Sequence, residues 1–308
     1  MVVVVAAATA ADPAAATESS PADAHLRHRL EIVGAALLFS TGGAVIKATS
    51  FNNWQVAGFR SLVATITILL VMPSARRNWT WRAAAVGLAY ALTLVLFVTA
   101  NKLTTSANAI FLQSTAPLYL LALGPLILKE RVRPVDVGVM AVVACGLACF
   151  FIGREPARIT APRPFEGNLV ALLSGITWAF TITGLRWLGS RPAAAPRSKA
   201  ESSPMATVAL GNILAFLICL PAVFPIERAG PVDIAAVFYL GVIQISLAYL
   251  LLSAGVRFVP AVGTGTLLLI EPALNPVWTW LLHGERPGGL AICGGALILL
   301  ASAARMWE

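Results

Sequence analysis

Charge is scarce in this sequence. Of 308 residues only 12% are charged while 58% are hydrophobic, whereas a soluble chain carries about 25% charged residues. The shortage excludes an ordinary solvated surface, which needs charge, and favours one that faces lipid. Histidine is scarcer still, with three residues. His25 and His28 lie near the start and His283 stands apart, so neither a His-rich metal motif nor a Ser/His/Asp set is evident. Four cysteines, Cys145, Cys149, Cys219 and Cys293, all fall in apolar stretches and read as small packing residues. No Gly-Lys-Ser/Thr phosphate loop occurs, which disfavours ATP-driven work. An enzyme is therefore not expected, and neither a metal nor a cofactor is implied.

What the sequence has instead is long apolar runs. Ala83 to Asn101, Leu103 to Leu128, Met205 to Ile226 and Ile234 to Val256 contain no charged residue. Each approaches or exceeds the roughly 18 residues that mark a spanning helix, and none shows the alternation of a barrel strand. The pattern predicts an all-α integral membrane protein with ten transmembrane helices, at 30–49, 54–73, 82–101, 105–128, 134–153, 167–188, 205–225, 233–253, 260–282 and 288–306. Residues 1–29, rich in alanine, read as a flexible cytoplasmic tail without the positive start of a signal peptide. The stretch Gly189 to Pro204 is the longest polar linker.

The net charge is +8 with a pI near 9.9. The basic residues are scattered between apolar runs, so they read as topology signals and contacts to membrane lipids, and no nucleic-acid partner is expected. With the N-terminus in the cytoplasm, the inner side receives 14 Lys and Arg and the outer side 7. The positive-inside rule then places both termini in the cytoplasm of a multi-pass protein of the inner (cytoplasmic) membrane.

An internal repeat emerges at a displacement of 155 residues, where Pro117 falls on Pro272 and Glu130-Arg131 on Glu285-Arg286. Leu92, Leu96, Leu112 and Leu126 fall on Leu247, Leu251, Leu267 and Leu281, and Lys102 falls on Arg257. Phe39 precedes Lys47 by the same interval as Trp178 precedes Arg186. Five spans per half is an odd number, so the halves are expected to be inverted. The expected units are a first repeat over 30–153, an extracytoplasmic connector over 154–166 and a second repeat over 167–306.

These residues resemble the drug/metabolite transporter superfamily, with two EamA-type domains. The resemblance is carried by Phe39 to Lys47, Gly58-Phe59-Arg60, Pro117 to Arg131, Trp178 to Arg186, and Glu271-Pro272 to Gly284-Glu285-Arg286. It departs from the family at Phe39, where the first half often carries Trp, and in the seventh span, which has no match to Arg60. What it implies is a ten-helix exporter with a central cavity lined by both halves.

Candidate site residues follow from cost. Glu271 lies in the ninth expected span among apolar neighbours, and a carboxylate at such depth costs at least about 2.5–3.5 kcal/mol unless paired, hydrated or protonated. It is the candidate for proton coupling or for holding a substrate amine; the plainer reading is a structural carboxylate beside a helix break. Pro117 and Pro272 are hinge candidates, or static bends. The glycine clusters at Gly42-Gly43, Gly263 with Gly265, and Gly294-Gly295 suit close helix contact. Ser40, Thr41, Tyr90, Asn108, Gln113, Trp178, Tyr239, Gln244, Tyr249, Asn275 and Trp278 are the polar and aromatic candidates for a substrate cavity. Each singly also fits an interhelical bond. Asn108 and Gln113 on the fourth span are expected to converge on Glu271 and Asn275 of the ninth. Lys47 and Arg186 are expected to snorkel to headgroups, and Arg60 to pair with a carbonyl or a lipid phosphate. The expected function is export of amino acids or similar small metabolites by alternating access, with proton coupling through Glu271 as one mode and uniport as another. The alternative is an intramembrane lipid-modifying enzyme or a lipid-scrambling protein. A monomer suffices for this reading.

Overall fold

The computed structural model describes residues 21–128, 134–152, 156–189, 204–226, 229–255, 258–259 and 267–306. The expected tail up to residue 20, Glu130-Arg131, the linker at 190–203, Arg257 and the start of the ninth expected span at 260–266 lie outside them.

The described residues form helices and no named strand: α1 Pro21–Ser40, α2 Gly42–Ala48, α3 Asn53–Val71, α4 Trp81–Leu103, α5 Ser106–Gln113, α6 Ala116–Leu123, α7 Pro134–Ile152, α8 Pro164–Gly189, α9 Pro204–Val223, α10 Pro231–Phe238, α11 Ala248–Gly255, α12 Ile270–His283 and α13 Gly289–Met306. Wider π-helical turns at Gly124–Leu128 and Tyr239–Leu247 extend α6 and join α10 to α11. Among the described residues six helical stretches are long and apolar enough to cross a membrane: Leu26–Ala48, Asn53–Val71, Trp81–Leu103, Pro164–Leu185, Pro204–Val223 and Pro231–Gly255. Shorter apolar helices, Ala141–Ile152 and Gly289–Ala301, accompany them. The chain is a multi-pass, all-α membrane protein.

Local chemistry sets the helix ends. The Asn52 side chain accepts from Gln55 N at 2.9 Å while Gln55 Oε1 accepts from Asn52 N at 3.1 Å, a reciprocal cap that starts α3. Gln55 Nε2 then donates to Val223 O and Pro225 O, tying that start to the end of α9. Thr80 and Thr105 cap α4 and α5 with a single bond each, accepting from Ala83 N and Asn108 N. The α1 helix begins at Pro21, ahead of the expected start at residue 30, and its exposed turn carries the Arg27–Glu31 pair one turn apart at 3.4 Å.

Two expected spans are broken where hydroxyls bond back to the helix. Ser40 and Thr41 each donate to a carbonyl three residues earlier, at 2.7 Å, and α1 gives way to α2 there. The span expected as continuous over 105–128 stops at Gln113, where Ser114 donates to Ile110 O and Thr115 to Leu112 O. It restarts at Ala116, with Pro117 in the first turn, where the missing N–H removes no helix bond.

The packing is set by small residues. Gly87 on α4 and Gly211 on α9 sit so close that a Cβ on Gly87 would lie 3.2 Å from Gly211 N. The α4 helix packs on α8 and α9, α3 on α9 and on the π-helical segment before α11, α1 on α11 and α12, α5 and α6 on α8, and α7 on α13. One end of the bundle gathers the end of α2, the starts of α3, α5, α8 and α10, and the ends of α4 and α12. At the other end Arg82 stacks over Trp187 at 5.1 Å and Trp81 at 5.7 Å, and Trp79 and Trp81 are exposed. Aromatic and basic residues together suit a headgroup layer.

Candidate functional site

The break between α1 and α2 is where the polar candidates meet. Trp278 on α12 donates its indole N–H to Ser40 Oγ at 2.9 Å. Thr41 Oγ1 and the Tyr239 hydroxyl lie 3.0 Å apart. Phe39 meets Tyr249 edge-on with ring centroids 5.1 Å apart, and Tyr249 meets Tyr90 edge-on at 5.7 Å. Trp178 packs half-buried beside the same group. Gln244 abuts Gly42, where a Cβ would lie 2.9 Å from its Nε2. Tyr239 and Gln244 both belong to the π-helical segment, a distortion that recurs at functional sites.

Glu271 stands in the first turn of α12, with Pro272 buried beside it. The described helix begins one residue before it, after a turn at Leu269 that separates it from helical Leu267 and Leu268. Among the described residues no hydrogen bond or ion pair reaches Glu271, while Tyr249 lies within electrostatic range of it. Asn275, one turn on, is fully buried with neither amide atom paired. It packs against Gly43, where a Cβ would lie 2.6 Å from Asn275 Oδ1 and 2.7 Å from Ser106 Oγ. Pro276 is a second proline inside α12 that sequence reading passed over. Pro117 stands in the first turn of α6 and Pro272 in the first turn of α12.

The expected convergence of Asn108 and Gln113 on α12 is not what the structure shows. Asn108 Nδ2 donates to Asn168 Oδ1 at 3.2 Å and Gln113 Nε2 to Ser174 Oγ at 2.7 Å, both on α8. The physical reason lies in the break at Ser114–Thr115, which lets α5 set its polar face against α8. Gly175 permits that approach, since a Cβ there would lie 3.0 Å from Leu112 O.

Lys47 is the larger correction. It does not snorkel: its Nζ lies 3.1 Å from Glu285 Oε1, with both side chains buried, and donates to Thr104 O and Thr160 O. The side chain of Arg186 lies outside the described residues. Glu285 is delivered by the end of α12. Gly284 adopts φ +65°, Gly284 N donates to Trp280 O and Glu285 N to Thr279 O, the paired bonds of a helix-ending reversal. The carboxylate then accepts from Ser106 N at 2.8 Å, at the start of α5, where the backbone dipole favours an anion. His283 Nε2 lies 2.8 Å from Ala44 O. At the same end Lys102 Nζ donates to Thr49 O and Oγ1, and Asp233 accepts from Ser50 N and Oγ. The helices are therefore latched together at this end by charge as well as packing. Sequence reading had a signal for this, an acid and a base at helix ends, but nothing to pair them.

A family model described as the EamA-like transporter family matches residues 30–152 and again 165–304. The chain belongs to the EamA-like transporter family. It is a membrane transporter. An uncharacterized transporter of Bacillus subtilis (strain 168), YwfM, is 24% identical over 285 residues, covering 89% of this chain and 91% of the relative. A solved crystal structure at 18% identity superposes with a TM-score of 0.58, covering 90% of this chain and 96% of its own, which speaks for the fold alone. Within this EamA-like chain, the break in the first span and the start of α12 are the places where polar side chains from distant segments meet.

Proposed function

We propose that this transporter exports amino acids or similar small metabolites across the cytoplasmic membrane by alternating access. The spans number ten, in two inverted five-helix halves, 30–153 and 167–306, joined by an extracytoplasmic connector at 154–166. Both termini lie in the cytoplasm, and Glu271 couples transport to protons or holds a substrate amine. The observation that carries the reading is the meeting of α1–α2 with α12 and with the π-helical segment, through Trp278 to Ser40 and Thr41 to Tyr239. These are neutral, breakable bonds beside aromatic walls, suited to an amphiphilic ligand.

The packing supports two exchangeable halves. Swapping the first five expected spans for the second five turns the α4–α8 contact into α1–α11, and the α5/α6–α8 contact into α1–α12. The α4–α9 contact becomes α3 on the π-helical segment, while α3–α9 and α7–α13 exchange with themselves. Halves related in this way can trade conformations and expose a site to alternate sides. In the orientation set by the basic residues, the Lys47–Glu285 end faces outward.

Purified protein in liposomes tests the proposal. Labelled amino acids and metabolites are loaded and their efflux followed with and without a pH gradient. Saturable efflux of a chemically related subset is expected. Movement of fluorescent lipid with no solute efflux would reject the proposal and favour scrambling.

A further inference from the structure

Three cationic side chains are buried or half-buried in the described helices, and two of them are compensated. Lys47 has Glu285 and two carbonyls. Lys102 has Thr49 O and Oγ1, with Asp233 in electrostatic range. Arg60 differs. It lies well inside α3 and is 1% exposed, yet its one hydrogen bond among the described residues runs from Nη2 to Leu94 O at 3.1 Å. Among the described residues its Nε–H has no partner, and no carboxylate lies within ion-pair distance. The groups in electrostatic range are Tyr90, Cys219 and Tyr249. The Tyr90 hydroxyl, also buried, faces Tyr249 and Asn212 without a close hydrogen bond among the described residues.

A charge held this way is poorly served by one carbonyl dipole, since an intramembrane arginine usually pairs or faces a polar path. A guanidinium with a free edge matches the two oxygens of a carboxylate, taken by parallel N–H donors. Tyr90 supplies a further O–H donor beside it. Arg60 is also connected to the candidate site. Tyr90 meets Tyr249, Tyr249 meets Phe39 at the break in the first span, and Tyr249 lies in range of Glu271. A base and an acid without an ion-pair partner among the described residues thus both lie in range of Tyr249.

Resting on the transporter reading above, we propose that Arg60, with the Tyr90 hydroxyl, is the anion-recognition point of the substrate site, and that the substrate class is carboxylate-bearing metabolites with an apolar or aromatic body. The carboxylate docks on the free Nε–H edge of Arg60. The body lies along Tyr249 and Phe39, and a ligand that also carries an ammonium group directs it toward Glu271.

The test is ligand binding to the full chain in nanodiscs, read by thermal stabilisation and calorimetry. The probes are L-leucine and L-phenylalanine, their amides and methyl esters, the matching amines without the carboxylate, and the matching acids without the amine. The wild type is expected to bind the amino acids and free acids and to lose roughly 10- to 100-fold in affinity for the amides, esters and amines. Arg60→Gln is expected to remove that preference, binding acids and amides alike, while Arg60→Lys keeps part of it. Wild-type protein that binds amides or amines as well as acids, or binds no carboxylate probe, overturns the assignment without any mutant. So does a folded Arg60→Gln that keeps the acid preference. Should Arg60→Gln not fold, the wild-type series alone decides. Efflux of an uncharged metabolite with no carboxylate binding would leave the transporter reading standing and remove Arg60 from it. Carboxylate binding without efflux would do the reverse.

Discussion

Lys47 Nζ lies 3.1 Å from Glu285 Oε1, and the two side chains keep only 3% and 1% of their surface exposed. The pair joins the end of the first span to the turn after α12. Removing one partner leaves the other charge buried and alone, at a cost of about 3–5 kcal/mol, whereas replacing both by apolar residues is far milder. Lys47→Met and Glu285→Met should each lower the unfolding midpoint sharply, and Lys47→Met/Glu285→Met should recover most of the loss. Thermal unfolding of the four proteins, treated as a double-mutant cycle, measures the coupling. Additive losses would show that the two charges act separately.

Gly284 sets the direction of that carboxylate. Its φ of +65° is the left-handed region, where a Cβ costs about 1–2 kcal/mol. No neighbour would obstruct the added methyl, so Gly284→Ala isolates backbone strain from crowding. The expected loss is of that same order, and Gly284→Asn, which tolerates the conformation better, should lose less. Unfolding midpoints in detergent check the order; an alanine variant as stable as the wild type would contradict it.

Much of the helical scaffold is legible in the sequence because long apolar runs leave the backbone few alternatives in lipid. The charge-free run Met205 to Ile226 and the helix Pro204–Val223 nearly coincide. Hydropathy does not register breaks inside a run. Leu103 to Leu128 reads as one span, yet hydroxyls at Ser114 and Thr115 divide it. Partners are also invisible in a linear pattern. Lys47 looks like any basic residue at an apolar helix end, and its burial depends on an acid delivered by a turn far along the chain. Asn108 and Gln113 are correctly singled out as polar residues needing partners, but which helix supplies them depends on how α5 is rotated after the break. The sites that do meet, Ser40 with Trp278 and Thr41 with Tyr239, were recognisable by type and not by pairing.

Gly43 and Gly42 provide a graded test of how α2 packs on α12 and on the π-helical segment. A Cβ on Gly43 would press on Asn275 Oδ1 at 2.6 Å and Ser106 Oγ at 2.7 Å, both on short, buried side chains. Overpacking of this kind costs about 1–3 kcal/mol. A Cβ on Gly42 would meet the Gln244 amide at 2.9 Å, the far end of a longer side chain that can swing aside. Gly43→Ala should therefore destabilise more than Gly42→Ala. Equal unfolding midpoints for the two variants would mean that the Asn275 and Ser106 cluster yields as readily as a free glutamine.

Glu271 gives the sharpest test of coupling. It sits in the first turn of α12, and no described basic residue neutralises it. If it carries the proton, export is driven by protons entering from the outer side. An inward-directed proton gradient should then speed substrate efflux from cells or oriented liposomes, and collapsing the gradient should slow it. Glutamine keeps the size and polarity of Glu271 but cannot release a proton. Glu271→Gln should retain substrate exchange at equal concentrations on both sides, because exchange needs no net proton movement, and should lose the acceleration by the gradient. Glu271→Asp, which still titrates, should keep part of it. Both are read as initial rates of labelled substrate against imposed gradients. An Glu271→Gln variant whose efflux responds to pH as the wild type does would remove Glu271 from the coupling step, leaving it the role of holding the substrate amine, in which case the same variant should raise the concentration needed for half-maximal exchange of amine-bearing substrates and leave that of amine-free acids unchanged.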